Sequence, residues 1–323
     1  MPGDSHLPDA QVIYRQPQMK VGGIEILSVE SLDKHRALVE SLKSFTRSLG
    51  LELGWHYLLD LTWIISHLGE ISGQRILDAG AGTGVLQWYL AELGATVFSV
   101  DRMSRADLPL RFRRRFHVQG VRRIDLNPDA QAFLAGFHKA TDGALPRRWL
   151  GRLVSQCREL AGYLFPRHTS GCVKIYNQDL SNLVALHTDS FDAVVAVSAL
   201  EHNSPAGLQQ VISELLRVLK PGGLLLATLV AGREQDTWHE PSSAWCYTDQ
   251  SLRRLFDLPA GTPSNYSQYD QLIAELRDCA ELRDGLAKFY FKSGQTGMPW
   301  GKWDPQYQPV GVCKIKPLRP LTT

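Results

Sequence analysis

The amino-acid sequence predicts an α/β fold, a mostly parallel sheet with helices on both faces. Three observations carry that prediction. Short apolar runs near 75–79, 96–101, 172–176, 191–198 and 222–230 read as strands, alternating with stretches of helical apolar spacing near 84–93 and 205–219. The first run opens directly into Asp78-Ala79-Gly80-Ala81-Gly82-Thr83-Gly84, a strand-to-helix turn in which every second residue from Gly80 lacks a Cβ. The second run ends on a carboxylate, Asp101, 17 residues beyond Gly84.

The remaining elements follow in chain order. Residues 1 to about 25 are rich in Pro and polar side chains and are expected to be extended or poorly ordered. Segments 31–49 and 53–68 have the apolar spacing of two helices, so 1–70 reads as a tail and helices packing on a core that spans 71–323. Pro221-Gly222-Gly223 is placed as the turn that stops the 205–219 helix before the fifth strand. The apolar runs 286–291 and 309–316 supply the last two strands.

About 70 residues separate the second strand from the third, and a structureless loop of that length does not suit a compact domain. The insert, roughly 105–170, must therefore fold, and it is expected to be largely helical. At 100° per residue, Trp149, Leu150, Leu153, Val154, Cys157, Leu160, Ala161 and Leu164 fall within an arc of about 140°, with Arg148, Arg152 and Glu159 opposite. The insert is also basic: residues 101–174 hold 15 Lys and Arg against 6 Asp and Glu, a local +9 in a chain of net charge +2. Three readings stand: a helical cap packed on the core, a lid whose arginines meet an anionic acceptor, or an element making peripheral membrane contact. The run Arg111-Phe112-Arg113-Arg114-Arg115-Phe116 suits either of the last two, and also nucleic acid.

Composition bounds the class. At 323 residues and 44% hydrophobic, the chain can bury a full core. It has no run of 18 apolar residues and no charged, apolar leader, so neither a membrane span nor a secretion signal is expected. Its five cysteines lack C-x-x-C spacing, which fits free thiols in a reducing cytoplasm. No metal is expected, because the ten histidines form no ligand cluster and no acidic cluster suggests Mg²⁺.

The spacing of the glycines narrows the ligand. A dinucleotide site has G-x-G-x-x-G against a pyrophosphate. Here the order is D-x-G-x-G-x-G with Asp78 at the strand end. A carboxylate there repels a pyrophosphate and favours a sulfonium or an ammonium group, so the expected ligand is cationic.

These segments resemble the class I S-adenosylmethionine-dependent methyltransferases, in the branch acting on small molecules, lipids and glycans. ILDAGAGTGVLQWYLAELGATVFSVD is similar to the first motif and the acidic end of the second strand, and Asp179-Leu180 to the position after the third strand. FDAVVAVSALEHN resembles the fourth strand and its loop, and LRVLKPGGLLLATLV the helix and strand that follow. The resemblance implies a Rossmann-like seven-stranded sheet, mostly parallel, with an antiparallel last strand, and S-adenosylmethionine as cofactor. It implies that Asp78, Gly80, Ala81, Gly82 and Gly84 approach the methionine part and that Asp101, with Arg102 beside it, meets the ribose hydroxyls. Asp179 and Leu180 are then adenine contacts, and Ser198 and Tyr57 adjoin the cofactor. The bland alternatives are a solvated strand end for Asp101 and a helix N-cap for Asp179.

In-line methyl transfer to a hydroxyl needs alignment and a group to take the proton. His202, in Leu200-Glu201-His202-Asn203 beyond the fourth strand, is the candidate base, or else it only orders that loop. Trp55, His56 and Tyr57, then Trp238, His239, Trp245, Tyr247, Trp300 and Trp303, are aromatic candidates for an acceptor pocket or for ordinary packing. No Asn/Asp-Pro-Pro-Tyr/Phe motif and no Pro-Cys nucleophile follows the fourth strand, which argues against amino-nitrogen and cytosine-carbon acceptors. The expected activity is methyl transfer, with oxygen the leading target atom, to a small-molecule, glycan or lipid-linked acceptor. An RNA methyltransferase, an NAD-dependent oxidoreductase and a non-catalytic binding module are the alternatives.

Overall fold

The computed structural model describes residues 22–141, 154, 157, 169–291, 298 and 301–318. The chain divides into two compact units, Met1–Glu70 with Leu186–Thr323, and Ile71–Ala185. In chain order the strands are β1 (Gly23–Ile26), β2 (Arg75–Ala79), β3 (Thr96–Asp101), β4 (His117–Gly120), β5 (Cys172–Asn177), β6 (Phe191–Val197), β7 (Leu219–Ala231), β8 (Thr237–His239), β9 (Ala244–Tyr247) and β10 (Gln308–Ile315). The architecture is α/β, as expected. The strand count is not: ten strands form among the described residues, against the seven implied.

In the Ile71–Ala185 unit, strands run in the order β2-β3-β5-β4, every neighbouring pair parallel. Ile76, Leu77, Val97, Val100, Val173 and Ile175 are all fully buried, the near-continuous apolar pattern of a parallel sheet covered on its faces. Helix Leu86–Glu92 supplies part of the cover, and its Trp88 stacks on Phe112 at 4.7 Å and leans on Phe116 at 5.0 Å. Register sets Asp78 beside Ser99 and Asp101 beside Asn177, so the acidic residues lie at the carboxyl ends of their strands.

Among its described residues the insert adds a short strand to the helices expected of it. Its first part forms helix Leu110–Arg115, then β4, then helix Asp129–Thr141, and β4 pairs in parallel with β5. The four residues of β4 cover an edge of β5 whose amides and carbonyls would otherwise lack partners. The helix expected over 149–164 lies outside the described residues, apart from Val154 and Cys157, which are helical and exposed.

In the other unit β6 and β7 are parallel, β10 is antiparallel to β7, and β1 is antiparallel to β10. A short extension adds β9 to the end of β7, with β8 antiparallel to it. The antiparallel last strand is therefore observed. The strand expected over 286–291 is not: Lys288–Phe291 is a 3-10 turn with Phe289 and Phe291 exposed. The outer edge of β10 is occupied instead by Gly23–Ile26, from the segment expected to be extended.

Two further boundaries shift. Segment 31–49 breaks at His35 into Glu30–Lys34 and Arg36–Ser48. Helix Pro205–Val218, whose Ser204 hydroxyl caps the Gly207 amide, runs straight into β7. Pro221-Gly222-Gly223 is absorbed as an irregularity, the pairing jumping from Phe191–Leu219 to Ala193–Leu224.

Helix Tyr57–Leu68 packs on β6, β7 and β10. It is apolar almost all round, with Leu58, Leu59, Leu61, Ile64 and Ile65 buried, yet carries a fully buried Asp60. Gly311 of β10 lets Trp63 lie flat on the strand, since a Cβ there would come within 2.5 Å of the indole.

Candidate active site

The glycine turn is built as its spacing requires. Gly80 and Gly82 adopt φ of 75° and 47°, a region that side chains with a Cβ rarely enter. The Gly80 and Ala81 amides both donate to the Val100 carbonyl, at 2.9 and 3.0 Å, which ties the turn to the neighbouring strand. Gly84 serves differently: its amide donates to the Ala81 carbonyl at 2.9 Å, and a Cβ would press on that oxygen at 3.0 Å.

Asp101 holds the turn from the other side. Its Oδ2 accepts the Gly82 amide at 2.8 Å and its Oδ1 the Met103 amide at 2.7 Å. Each carboxylate oxygen keeps a second lone pair, so this geometry leaves capacity for two hydroxyl donors. Arg102 next to it is exposed.

Asp78 lies beneath the turn, nearly inaccessible to solvent, and burial pushes its carboxyl up to about 7. The nearby Arg105 charge opposes that rise and the Asp101 charge adds to it. Arg105 comes from the start of the insert. Its guanidinium bonds the Ser99 hydroxyl, the Ser99 carbonyl at 2.8 Å and the Tyr176 carbonyl at 3.3 Å, and reaches the Gly82 carbonyl at 3.4 Å. Ser99 in turn donates to Gln87 Oε1 at 2.6 Å, while Gln87 Nε2 donates to the Gly84 carbonyl at 3.0 Å. A polar network centred on Arg105 and Gln87 thus fixes the turn from below.

Asp179 lies two residues past β5, exposed, and Leu180 beside it is partly buried. Asp179 Oδ1 accepts from the Ser181 amide at 2.8 Å and the Ser181 hydroxyl at 2.6 Å, bonds that hold its carboxyl below the usual range. It caps a turn, not a helix. The Ile71–Ala185 unit therefore gathers Asp78, Gly80, Ala81, Gly82, Gly84, Asp101, Arg102, Asp179 and Leu180 along the carboxyl ends of β2, β3 and β5.

Ser198, His202 and Tyr57 belong to the other unit. Ser198, just past β6, has a φ of 44°, a strained value for a residue with a Cβ. Its hydroxyl donates to Glu201 Oε1 at 2.6 Å and shares a hydrogen bond with the Tyr57 hydroxyl. Glu201 is fully buried, its Oε2 without a partner among the described residues, and burial raises its carboxyl against the pull of the neighbouring His202 charge. His202 is exposed, and its Nδ1 lies 2.8 Å from the Ser243 carbonyl, to which it donates.

Rings surround this strand end. The His56 ring meets Trp55 at 4.6 Å, Tyr57 at 5.1 Å and Tyr307 at 5.9 Å, and Trp303 stands edge-on to Trp55 at 6.0 Å. His239 meets Tyr307 at 5.1 Å, whereas Trp238 is exposed and meets Trp245 at 5.8 Å. Tyr247 is buried, and Trp300 lies outside the described residues.

Several polar residues of these clusters are not singled out by the sequence: Gln87, Arg105, Asp60 and Glu201. Only Asp60 leaves a local trace, as the one carboxylate inside the apolar run Leu58-Leu59-Asp60-Leu61-Thr62-Trp63-Ile64-Ile65.

The turn fits a bulky cationic ligand: two positive-φ glycines expose backbone, a carboxylate lies beneath, and Asp101 offers spare lone pairs. A family model described as a methyltransferase domain matches residues 153–227. Over that span the chain is similar to methyltransferase domains. The matched span holds β5, β6 and most of β7, and the glycine turn lies before it, on the other side of the insert. The chain is 27% identical over 160 residues to the mitochondrial ubiquinone biosynthesis O-methyltransferase of Rattus norvegicus, covering 50% of this chain and 32% of that protein. It is 46% identical over 48 residues to the ubiquinone biosynthesis O-methyltransferase of Albidiferax ferrireducens, covering 15% and 19%. The match thus spans at most about a third of these relatives' length. Among solved structures, 1,6-didemethyltoxoflavin-N1-methyltransferase of Burkholderia thailandensis shares 15% identity, with 94% of each chain covered and a TM-score of 0.41. No helix among the described residues is long and apolar enough to cross a membrane.

Proposed function

We propose that this chain is an S-adenosylmethionine-dependent methyltransferase that transfers a methyl group to a hydroxyl of a small organic acceptor, glycans and lipid-linked hydroxyl compounds belonging to the same class. The observation that carries the methyl-donor half is the turn itself, with Gly80 and Gly82 at positive φ over a buried Asp78 and under Asp101. Support for oxygen as the target comes from the local identity to ubiquinone biosynthesis O-methyltransferases and from His202, five residues past the carboxyl end of β6.

In this reading the backbone of residues 80–84 receives the methionine part, Asp101 with Arg102 the ribose hydroxyls, and Asp179 with Leu180 the adenine. Bound S-adenosylmethionine supplies a methyl carbon activated by the sulfonium charge. The protein then has to orient the acceptor, exclude water and take up its proton. His202 is the sequence's candidate for that last task; its Nδ1 is engaged by Ser243, which leaves Nε2 as the basic nitrogen. Retained turnover in His202→Ala removes it from the role. The five cysteines, all free, support a reducing, cytoplasmic setting.

Calorimetry with S-adenosylhomocysteine, followed by transfer of labelled methyl to a panel of phenols, sugars and lipid alcohols, tests the whole reading. Binding together with label on an oxygen is the expected result. Label found only in RNA, or no binding, overturns it.

A further inference from the structure

We propose that the insert sets base specificity at the cofactor site: Arg122 and Asp125 clamp the end of β5 and fix Asp179 relative to Asp101, so that the site selects adenine over a purine lacking the exocyclic amine. The inference rests on the S-adenosylmethionine reading and concerns the Ile71–Ala185 unit alone.

The clamp is built around a buried charge. Asp125, in the turn after β4, is fully buried, and a carboxylate so placed is costly unless its lone pairs are filled. Its Oδ2 accepts the Arg122 amide at 2.8 Å and Arg122 Nε at 3.1 Å, while Oδ1 accepts Arg122 Nη2 at 2.8 Å and the Asn177 amide at 3.1 Å. The guanidinium fork matches the two oxygens, a geometry that an ammonium group does not reproduce.

Asn177, the last residue of β5, gives every polar group it has to the insert. Besides the amide bond to Asp125, its Nδ2 donates to the Asp125 carbonyl at 2.9 Å, its Oδ1 accepts the Arg105 amide at 3.1 Å and its carbonyl accepts Arg122 Nη2 at 2.8 Å. Segment 105–125 is thereby tied at both ends to one residue. Gln178 carries the clamp across to β3, since its Oε1 accepts Arg122 Nη1 at 3.0 Å and its amide donates to the Asp101 carbonyl at 2.9 Å. Asp179 is the next residue. The stretch between the carboxylates read as ribose and adenine contacts is therefore held from the insert side, and Arg122 also covers the Tyr176 ring, 4.6 Å from its centroid.

This wiring decides between uses of the arginine-rich stretch at Arg122. Its donors are committed to Asp125, Asn177 and Gln178, so it serves as a clamp and not as a contact for phosphate or nucleic acid. The chemistry of selection follows from rigidity. Adenine presents a donor at its exocyclic amine, whereas hypoxanthine presents a carbonyl oxygen there. A carboxylate held at that position accepts from the first and repels the second, and one that can swing aside does neither. Asp179 Oδ1 takes the two Ser181 donors, and the carboxylate retains acceptor capacity for an amine.

Calorimetry on the full chain with S-adenosylhomocysteine and S-inosylhomocysteine tests the inference through the ratio of the two dissociation constants. The parent should prefer the adenosyl ligand by about tenfold or more. Arg122→Lys keeps the charge without the fork and Arg122→Gln removes both; each should bring the ratio below about threefold, chiefly by weakening the adenosyl ligand. The Arg122 side chain is 34% exposed, so these changes leave no closed cavity, and a melting transition without ligand checks the fold of each variant. Gln178→Ala deletes only the Nη1 bond and, as the milder variant, should move the ratio in the same direction. Asp179→Ala should remove the preference directly, and adding Arg122→Gln to it should change the ratio no further, because the clamp acts through Asp179. A role in stability alone would weaken both ligands alike and leave the ratio unchanged. An unchanged ratio in the folded Arg122 and Gln178 variants, or a parent that binds both ligands equally, overturns the inference and leaves the S-adenosylmethionine reading standing. A parent that binds neither ligand removes both.

Discussion

At the scale of single residues, Asp78 sets a pH dependence whose sign can be worked out. Its carboxyl titrates near 7 in the folded chain, above its unfolded value of 3.8, because burial penalises the charge. Between those values the folded state holds a proton that the unfolded state has released, so stability falls as pH rises from about 4 to 7 and is level above. The loss is on the order of 4 kcal/mol for the ligand-free protein, and Asp78→Asn should flatten that part of a stability-against-pH curve measured by urea unfolding. A bound sulfonium reverses the preference by favouring the ionised carboxylate. Affinity for S-adenosylmethionine should therefore rise about tenfold from pH 6 to pH 8 in the parent protein and stay constant in Asp78→Asn, as calorimetry at the two pH values would show. Asp101 acts through two oxygens that already accept the Gly82 and Met103 amides. Asp101→Ala should lose cofactor binding through the missing ribose contacts and through a loosened turn, and Asp101→Asn should be the milder change because its amide oxygen can still accept.

At the scale of elements, helix Tyr57–Leu68 depends on its fit to β10. A methyl group at Gly311 would meet the Trp63 ring at 2.5 Å, and Trp63 is itself fixed by a 2.8 Å bond from its Nε1 to Glu25 of β1. Gly311→Ala should cost about 1–3 kcal/mol in urea unfolding. The cap of helix Pro205–Val218 gives a milder case: Ser204→Ala removes the bond to Gly207 and should cost about 1 kcal/mol, with turnover unchanged. The insert is more strongly anchored than a charge count suggests. Arg113 is bound by the Leu108 and Ala106 carbonyls at 2.8 and 2.9 Å and pairs with Asp129, as Arg114 does at 3.5 Å. These arginines hold the insert's own turns together, a function that a local net charge cannot distinguish from a binding surface.

At the scale of the whole molecule, cofactor binding and stability are one measurement. A ligand at 100 times its Kd stabilises the folded state by about 2.7 kcal/mol, so saturating S-adenosylhomocysteine should raise the melting temperature by several degrees, and Asp101→Ala should abolish that shift. The features legible in the sequence were those set by local backbone and burial requirements: the glycine turn, the five parallel-type strands, the carboxylates at Asp101 and Asp179, and the helix after the fourth strand. Each depends on neighbours within a few residues, where apolar spacing and the need for a missing Cβ leave a mark. The partner of β10 left no such mark, because Gly23 pairs with Cys313 across nearly the whole chain and the apolar run at 286–291 is the nearer candidate. The edge strand β4 was equally hidden, being four residues with little hydrophobic alternation inside an arginine-rich stretch. By itself, then, the sequence determined the fold class, the glycine turn and the carboxylates at the neighbouring strand ends, since these are local demands of backbone geometry and charge. Tertiary structure alone decided which segments complete the sheet edges, that Arg105 and Gln87 lock the turn, and that Glu201 lies buried, because burial and long-range pairing depend on what packs from elsewhere in the chain.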